Sequence, residues 1–310
     1  QQGYAFQKYH LPPAQAAMDP QKALETAKHF FMSSPQEQPV DPHYPLLRRR
    51  VQFNADARGR NVVILVLESL QWKSIDALAG TSTGATPHLD KLIAQGQVFK
   101  QFYSSSPDAS LFGIGTILSG VCRITGFPYY GRGLETVSVS ALGRLFAKEG
   151  YQTYFVQASS YKWMYIGPLA RQMGFTVYSG EDLTPLLPYR AKETVSDYEA
   201  LMRLADSVQA ASQPFLGVFF SLSTHEPFDA FYPLAFGNGA EKTFAQQFAS
   251  DKYTRNLAYT DWAIGQFVGR LKQAGLYDNT VFILVGDHPR RGFSGSEPKE
   301  MFRIPFVLAA

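Results

Sequence analysis

From Asn61 onward, short unbroken apolar runs alternate with longer stretches of mixed apolar and polar positions. The short runs predict strands at 61–67, 97–103, 152–157, 215–222, 280–286 and 304–309. The longer stretches predict helices at 87–95, 110–119, 139–149, 164–173, 193–211 and 251–274. Val281 to Val285 carries no polar residue, so both faces of that strand call for burial. Such a run belongs inside a parallel sheet; an antiparallel strand with one wet face would alternate. Strands alternating with helices predict an α/β fold: a mostly parallel central sheet with helices on both faces.

The first 57 residues read differently. Pro12, Pro13, Pro20, Pro35, Pro39, Pro42 and Pro45 flank a single helical stretch at 20–34, and "LRRR" at 47–50 is a short basic cluster. Residues 1–57 are read as an N-terminal arm or linker, and residues 58–310 as the folded domain. No run approaches the roughly 18 apolar residues of a membrane span. With Gln1 in first place, a membrane anchor is expected to precede the arm. Because the chain ends on the strand-like "RIPFVLAA", further structure is expected after Ala310.

Composition narrows the class. Of 310 residues, 45% are hydrophobic and 14% aromatic, which excludes disorder and allows one large core. A net charge of +3 is no nucleic-acid footprint. The single cysteine, Cys122, excludes an internal disulfide framework and a cysteine-cluster metal site.

Chemistry collects at strand ends. The strand "NVVILVL" runs into Glu68 and Ser69, and "TVFILVG" runs into Asp287 and His288. Ligands in open α/β sheets bind at the carboxyl ends of strands. Carboxylate oxygens with one imidazole suit Zn or Mn, with Mg as the harder alternative. Between these strands, "SSSPDAS" opens a glycine-bearing helix. A hydroxyl at a helix start stands where a phosphate is held, and a metal there makes it a nucleophile. Ser104, Ser105, Ser106 and Ser110 are the candidates, with helix capping as the ordinary alternative use of such a serine.

Taken in order, a strand ending in Glu-Ser, a hydroxyl residue opening a glycine-bearing helix, "THEPF" and a strand ending in Asp-His resemble the alkaline phosphatase/sulfatase superfamily. More narrowly, they resemble its lipoteichoic acid synthase-like branch of phosphoglycerol and related transferases. "ATPHLDKLIAQGQVFKQFYS" and "FRIPFVL" extend the likeness, which runs from about residue 58 to the C-terminus. It implies that Glu68, Asp287 and His288 are metal ligands together with the nucleophile. The family nucleophile is usually Thr, with Gly three residues later and small residues further on. Ser110 keeps that register with Gly113, Ser119 and Gly120, whereas a sulfatase-type "S-x-P" reading points to Ser105. His225 matches the family histidine that contacts the transferred phosphate or protonates the leaving group. Trp163 matches a headgroup-binding Trp, but Tyr165 stands where Arg is expected. Lys162 or Arg171 is then expected to supply the positive charge, while Arg290, beside the metal pair, reads either as a phosphate clamp or as a solvated charge. Arg290 and Arg291 follow Asp-His in place of the commoner Gly-containing turn.

The resemblance implies a transferase holding one divalent ion, Mn or Zn, with Mg as the alternative. It moves a phosphoglycerol or phosphoethanolamine headgroup from a phospholipid to a glycan or lipid acceptor through a phospho-serine. Its implied place is the outer face of the bacterial cytoplasmic membrane. A formylglycine sulfatase would need Arg four residues beyond its modified residue, where this chain has Ile114 or Ala109. A catalytically silent lipid- or protein-binding relative, or a phosphodiesterase, are the remaining alternatives.

Overall fold

The computed structural model describes residues 19–31, 38–39, 48–49, 59–107, 109–123, 129, 139–183, 194–212, 214–228, 247–248, 250–291 and 298–310. By compactness the chain divides after Gly59. In the first unit, helix α1 (Pro20–Phe31) is followed by the two-residue strands β1 (Gln38–Pro39) and β2 (Arg48–Arg49), which pair antiparallel. The remainder of the proline-rich arm, with Leu47 and Arg50 of the basic cluster, lies outside the described residues.

The second unit begins with β3 (Asn61–Leu67), α2 (Asp76–Ala79), α3 (Pro87–Ala94), β4 (Gly96–Val98) and α4 (Ser110–Ser119). Then come α5 (Leu142–Lys148), β5 (Gln152–Gln157), α6 (Ile166–Gln172), β6 (Thr176–Tyr178) and α7 (Asp197–Gln209). It closes with β7 (Phe215–Phe220), α8 (Lys252–Gln273), β8 (Thr280–Gly286) and β9 (Phe306–Ala309). The seven strands form one sheet in the order β4-β9-β8-β3-β7-β5-β6. Only β9 runs against the others.

Central β3 explains why its sequence lacks polar positions. Val63, Leu65 and Leu67 pack with Leu92 of α3, Leu201 of α7 and Phe267 of α8. Ile64 and Val66 pack on the opposite face with Phe112 and Ile114 of α4 and Leu169 of α6. Helices therefore cover both faces, and each buried Leu or Ile is worth about 1.5–3 kcal/mol relative to exposure.

Three strands differ from expectation at their ends. Beyond Val98 a bend at Lys100–Gln101 breaks the ladder, leaving single bonds such as Phe99 N–H to Phe306 O (3.0 Å) and an isolated bridge of Tyr103 with Arg303. β7 ends at Phe220 because the Leu222 N–H turns away to the Asp197 carboxylate. β9 starts at Phe306, two residues after the expected Ile304. The three-residue β6 had no run long enough to be read from sequence.

Candidate active site

β3 and β8 are hydrogen-bonded neighbours, with Leu67 opposite Gly286. The next residues, Glu68 and Asp287, therefore leave the sheet side by side. Their backbones are fixed there: Asp287 N–H donates to Leu67 O (3.3 Å), and Glu68 N–H donates to Ser221 Oγ (2.8 Å). Thr224 Oγ1 donates to the Glu68 carbonyl.

Ser69 makes the turn out of β3 with φ +53°, in the left-handed region. A residue with a Cβ rarely sits there without a reason. The conformation aims its N–H at Asp287 Oδ1 (2.8 Å) and its hydroxyl at Glu68 Oε1 (2.7 Å). Its carbonyl accepts from the Tyr253 hydroxyl (3.0 Å). One strained residue thus ties both strand ends together.

Ser110 is the first residue of α4 and is 1% exposed. Its hydroxyl donates to Glu68 Oε2 at 2.8 Å and stands 3.3 Å from His288 Nε2. The other three serines go elsewhere. Ser104 donates to the Asp287 carbonyl (2.9 Å), Ser105 pairs with Thr116 Oγ1 (2.7 Å), and the Ser106 N–H donates to Ser104 Oγ (3.1 Å). The N-cap of α4 is Ala109, not one of these serines, and it makes no side-chain cap bond. Gly113, one turn into α4, lies against the Asp287 backbone with no room for a Cβ.

Glu68, Asp287 and His288 each offer a ligand atom, and these atoms lie within 4.8 Å of one another. All three residues are buried. His288 Nε2 is 3.4 Å from Glu68 Oε1 and 3.5 Å from Asp287 Oδ2. Nδ1 of His288 is 2.8 Å from the Pro289 carbonyl; its proton belongs on that side, leaving the Nε2 lone pair for the cluster. Burial, and after it the Glu68 charge, pushes Asp287 well above the usual carboxylate range. On His288 burial opposes the charge, but the Asp287 and Glu68 carboxylates prevail and raise its pKa. Asp287 Oδ2 is buried with no hydrogen-bond partner. Two carboxylates crowded out of water, one with an unpartnered oxygen, call for a cation. With an imidazole nitrogen and a hydroxyl beside them, the donor set fits a divalent ion.

His225 follows β7 with Nδ1 2.6 Å from its neighbour's carbonyl, Glu226 O. Trp163 meets the imidazole in a T-shaped pair, with centroids 5.2 Å apart, and stacks on Phe220 at 6.1 Å. The two candidates are therefore in contact. Lys162 is exposed, and Arg171, also exposed, lies over the Tyr161 ring (5.7 Å). The Arg290 guanidinium sits over the rings of Tyr253 (4.6 Å) and Phe228 (5.2 Å). Ser221, Thr224 and Tyr253 escaped sequence reading. Thr224 alone carried a signal, as the residue before His225 in "THEPF".

Residues 60–310 match the profile of the Sulfatase family. The chain belongs to the sulfatase family. Its fold is that of the alkaline phosphatase superfamily: a member of that superfamily from Vibrio parahaemolyticus superposes with TM-score 0.74 at 24% identity, covering 94% of this chain and 69% of that one. Lipoteichoic acid synthase 1 of Bacillus subtilis is 26% identical over 276 residues, 84% of this chain but 40% of its own length. The chain thus spans about two-fifths of that curated relative. The C-terminal periplasmic domain of EcEptC from Escherichia coli, solved in complex with Zn, superposes with TM-score 0.57 at 18% identity, covering 81% of this chain and 73% of that one. Within this sulfatase-family domain no described helix is long and apolar enough to cross a membrane.

Proposed function

We propose that this sulfatase-family domain transfers a phospholipid headgroup, phosphoglycerol or phosphoethanolamine, to a glycan or lipid acceptor. The observation that carries the reading is Ser110: a buried hydroxyl at a helix N-terminus, 2.8 Å from Glu68 and 3.3 Å from His288. Glu68, Asp287, His288 and Ser110 would hold one divalent ion, Mn or Zn. Such an ion, when bound, supplies Lewis acidity that favours the Ser110 alkoxide and draws charge from phosphoryl oxygens.

Ser110 enters the cycle as the alkoxide, its proton lost to solvent beforehand, and its Oγ attacks phosphorus, forming a Ser–O–P bond as the bond from phosphorus to the glycerol oxygen of the lipid breaks. His225, whose Nδ1 faces Glu226 O, gives the proton at Nε2 to that leaving oxygen, and diacylglycerol departs. In the second half the acceptor hydroxyl loses its proton to the same Nε2 and attacks phosphorus, freeing Ser110. The α4 N-terminus favours the anionic phosphoryl group throughout. Trp163 offers a ring face to the headgroup beside His225. In this reading the domain works on a lipid donor at the outer face of the bacterial cytoplasmic membrane.

The test is headgroup release. Protein with Mn or Zn is incubated with phosphatidylglycerol and, separately, phosphatidylethanolamine, and diacylglycerol is measured. Metal-dependent release, a phosphoglyceryl or phosphoethanolamine adduct on Ser110 by mass spectrometry, and loss of both in Ser110→Ala are expected. Release that persists in Ser110→Ala overturns the assignment.

A further inference from the structure

We propose that Asp197, together with Asn256 and Thr260, is a positioning device for His225, setting where the imidazole stands without touching substrate. The inference rests on the functional reading above, in which His225 serves the leaving and attacking oxygens.

His225 sits at the junction of two consecutive turns. Its N–H donates to Leu222 O (3.0 Å), and its carbonyl accepts from Phe228 N–H (2.9 Å). Both of those residues are held in turn. Asp197 Oδ1 accepts the Leu222 N–H at 2.7 Å, and Oδ2 accepts the Ser223 N–H at 3.3 Å. The Thr260 hydroxyl donates to the same Oδ2 at 2.7 Å. Asn256 Nδ2 donates to Ser223 O (2.6 Å) and Phe228 O (2.8 Å). Asn256 and Thr260 stand one turn apart on α8, hence on one face.

Helix α7 does not need the Asp197 carboxylate for its own start. Ser196 and Glu199 already form a reciprocal capping box there. Asp197 is 0% exposed, and a buried carboxylate is costly unless donors fill it. Two of its donors are backbone N–H groups of the His225 loop, so its charge is spent on orienting that loop. Thr224 adds a tie from the same loop to the Glu68 carbonyl. The loop is thereby fixed against the strand end that carries Glu68, and misplacement by about 1 Å at such a site costs on the order of a hundredfold in rate.

Asp197→Asn keeps the volume but turns one acceptor into a donor that faces other donors. Two readouts test the proposal. In histidine-labelled protein, with His225 assigned through His225→Gln, the His225 imidazole resonance is expected to shift or broaden while that of His288 stays. In the single-turnover burst of leaving-group release, before His225 serves the acceptor hydroxyl, a p-nitrophenyl phosphodiester needs no proton on its leaving group, whereas phosphatidylglycerol does. Asp197→Asn is expected to lose about tenfold more rate on the lipid than on the nitrophenyl ester. General loosening would lower both alike. A folded Asp197→Asn protein with the wild-type His225 resonance overturns the proposal, as does an equal loss on the two esters. Thr260→Val removes only the hydroxyl donor and carries the same test should Asp197→Asn fail to fold. The resonance needs no turnover, so a wild type that cleaves neither ester defeats the functional reading while the His225 signal still decides this one.

Discussion

Gly113 of α4 lies flush against the backbone carbonyl of Asp287, so the helix that carries Ser110 and the turn that carries Asp287 touch main chain to main chain. A Cβ at Gly113 would sit well inside contact distance of that oxygen. Gly113→Ala must therefore push α4 away from β8. The expected cost is about 1–3 kcal/mol of stability, read from denaturant midpoints, with a loss of activity larger than that softening explains. Wild-type stability in Gly113→Ala would show that α4 and the Asp287 turn tolerate separation.

An ion at Glu68, Asp287 and His288 stabilises the folded state only. At a hundredfold excess over its dissociation constant the gain is about 2.7 kcal/mol. The melting temperature of wild type should rise with Mn or Zn, and elemental analysis should find about one ion per chain. Asp287→Ala should lose both effects. A well-folded wild type that neither shifts nor binds would point to the catalytically silent alternative.

Ser110 contributes a hydroxyl, not a cap. Ser110→Thr retains the hydroxyl and adds the stiffness of a branched side chain, so appreciable turnover is expected to survive. Ser110→Ala removes the proposed nucleophile, with an expected fall of about 10³-fold or more. Headgroup-release rates on the two variants decide it; equal rates would dismiss Ser110 as nucleophile.

Asp261 holds the start of α3 and gives a pH signature. Its carboxylate accepts the His88 and Leu89 N–H groups at the start of α3, and burial pushes its pKa up to about 7. Raised in the folded state, the group contributes stability that is full below about pH 4, declines as pH rises, and is gone above about 7. The span is on the order of 4 kcal/mol. Asp261→Asn mimics the protonated acid, so its melting temperature should match wild type near pH 4, exceed it already at pH 5, and exceed it most near pH 8. A gap that does not widen with pH refutes the shift.

Much of this was legible in the chain. The unbroken run before Asp287 read as a strand buried on both faces, and β8 is flanked by β3 and β9. Glu68 and Asp287 read as strand-end residues, and their adjacency follows from β3 pairing with β8. What stayed hidden depends on tertiary contact. Ser110 stood apart from Ser104, Ser105 and Ser106 only through the family register it keeps with Gly113, Ser119 and Gly120; that its hydroxyl meets Glu68 needs the docking of α4. Arg290 read equally as a phosphate clamp or a solvated charge; its place over the Tyr253 and Phe228 rings needs two loops brought together. The Ser69 turn was invisible because positive φ at a serine has no composition of its own.

The bond from Ser69 N–H to Asp287 joins residues 218 positions apart. A fragment that lacks either β3 or β8 lacks the cluster, so an ion could be captured in it only after the two strands have paired. The choice of such an ion would then fall to the folded domain, from those present where folding ends. Two cells that make the same chain but complete it among different ions would load it differently.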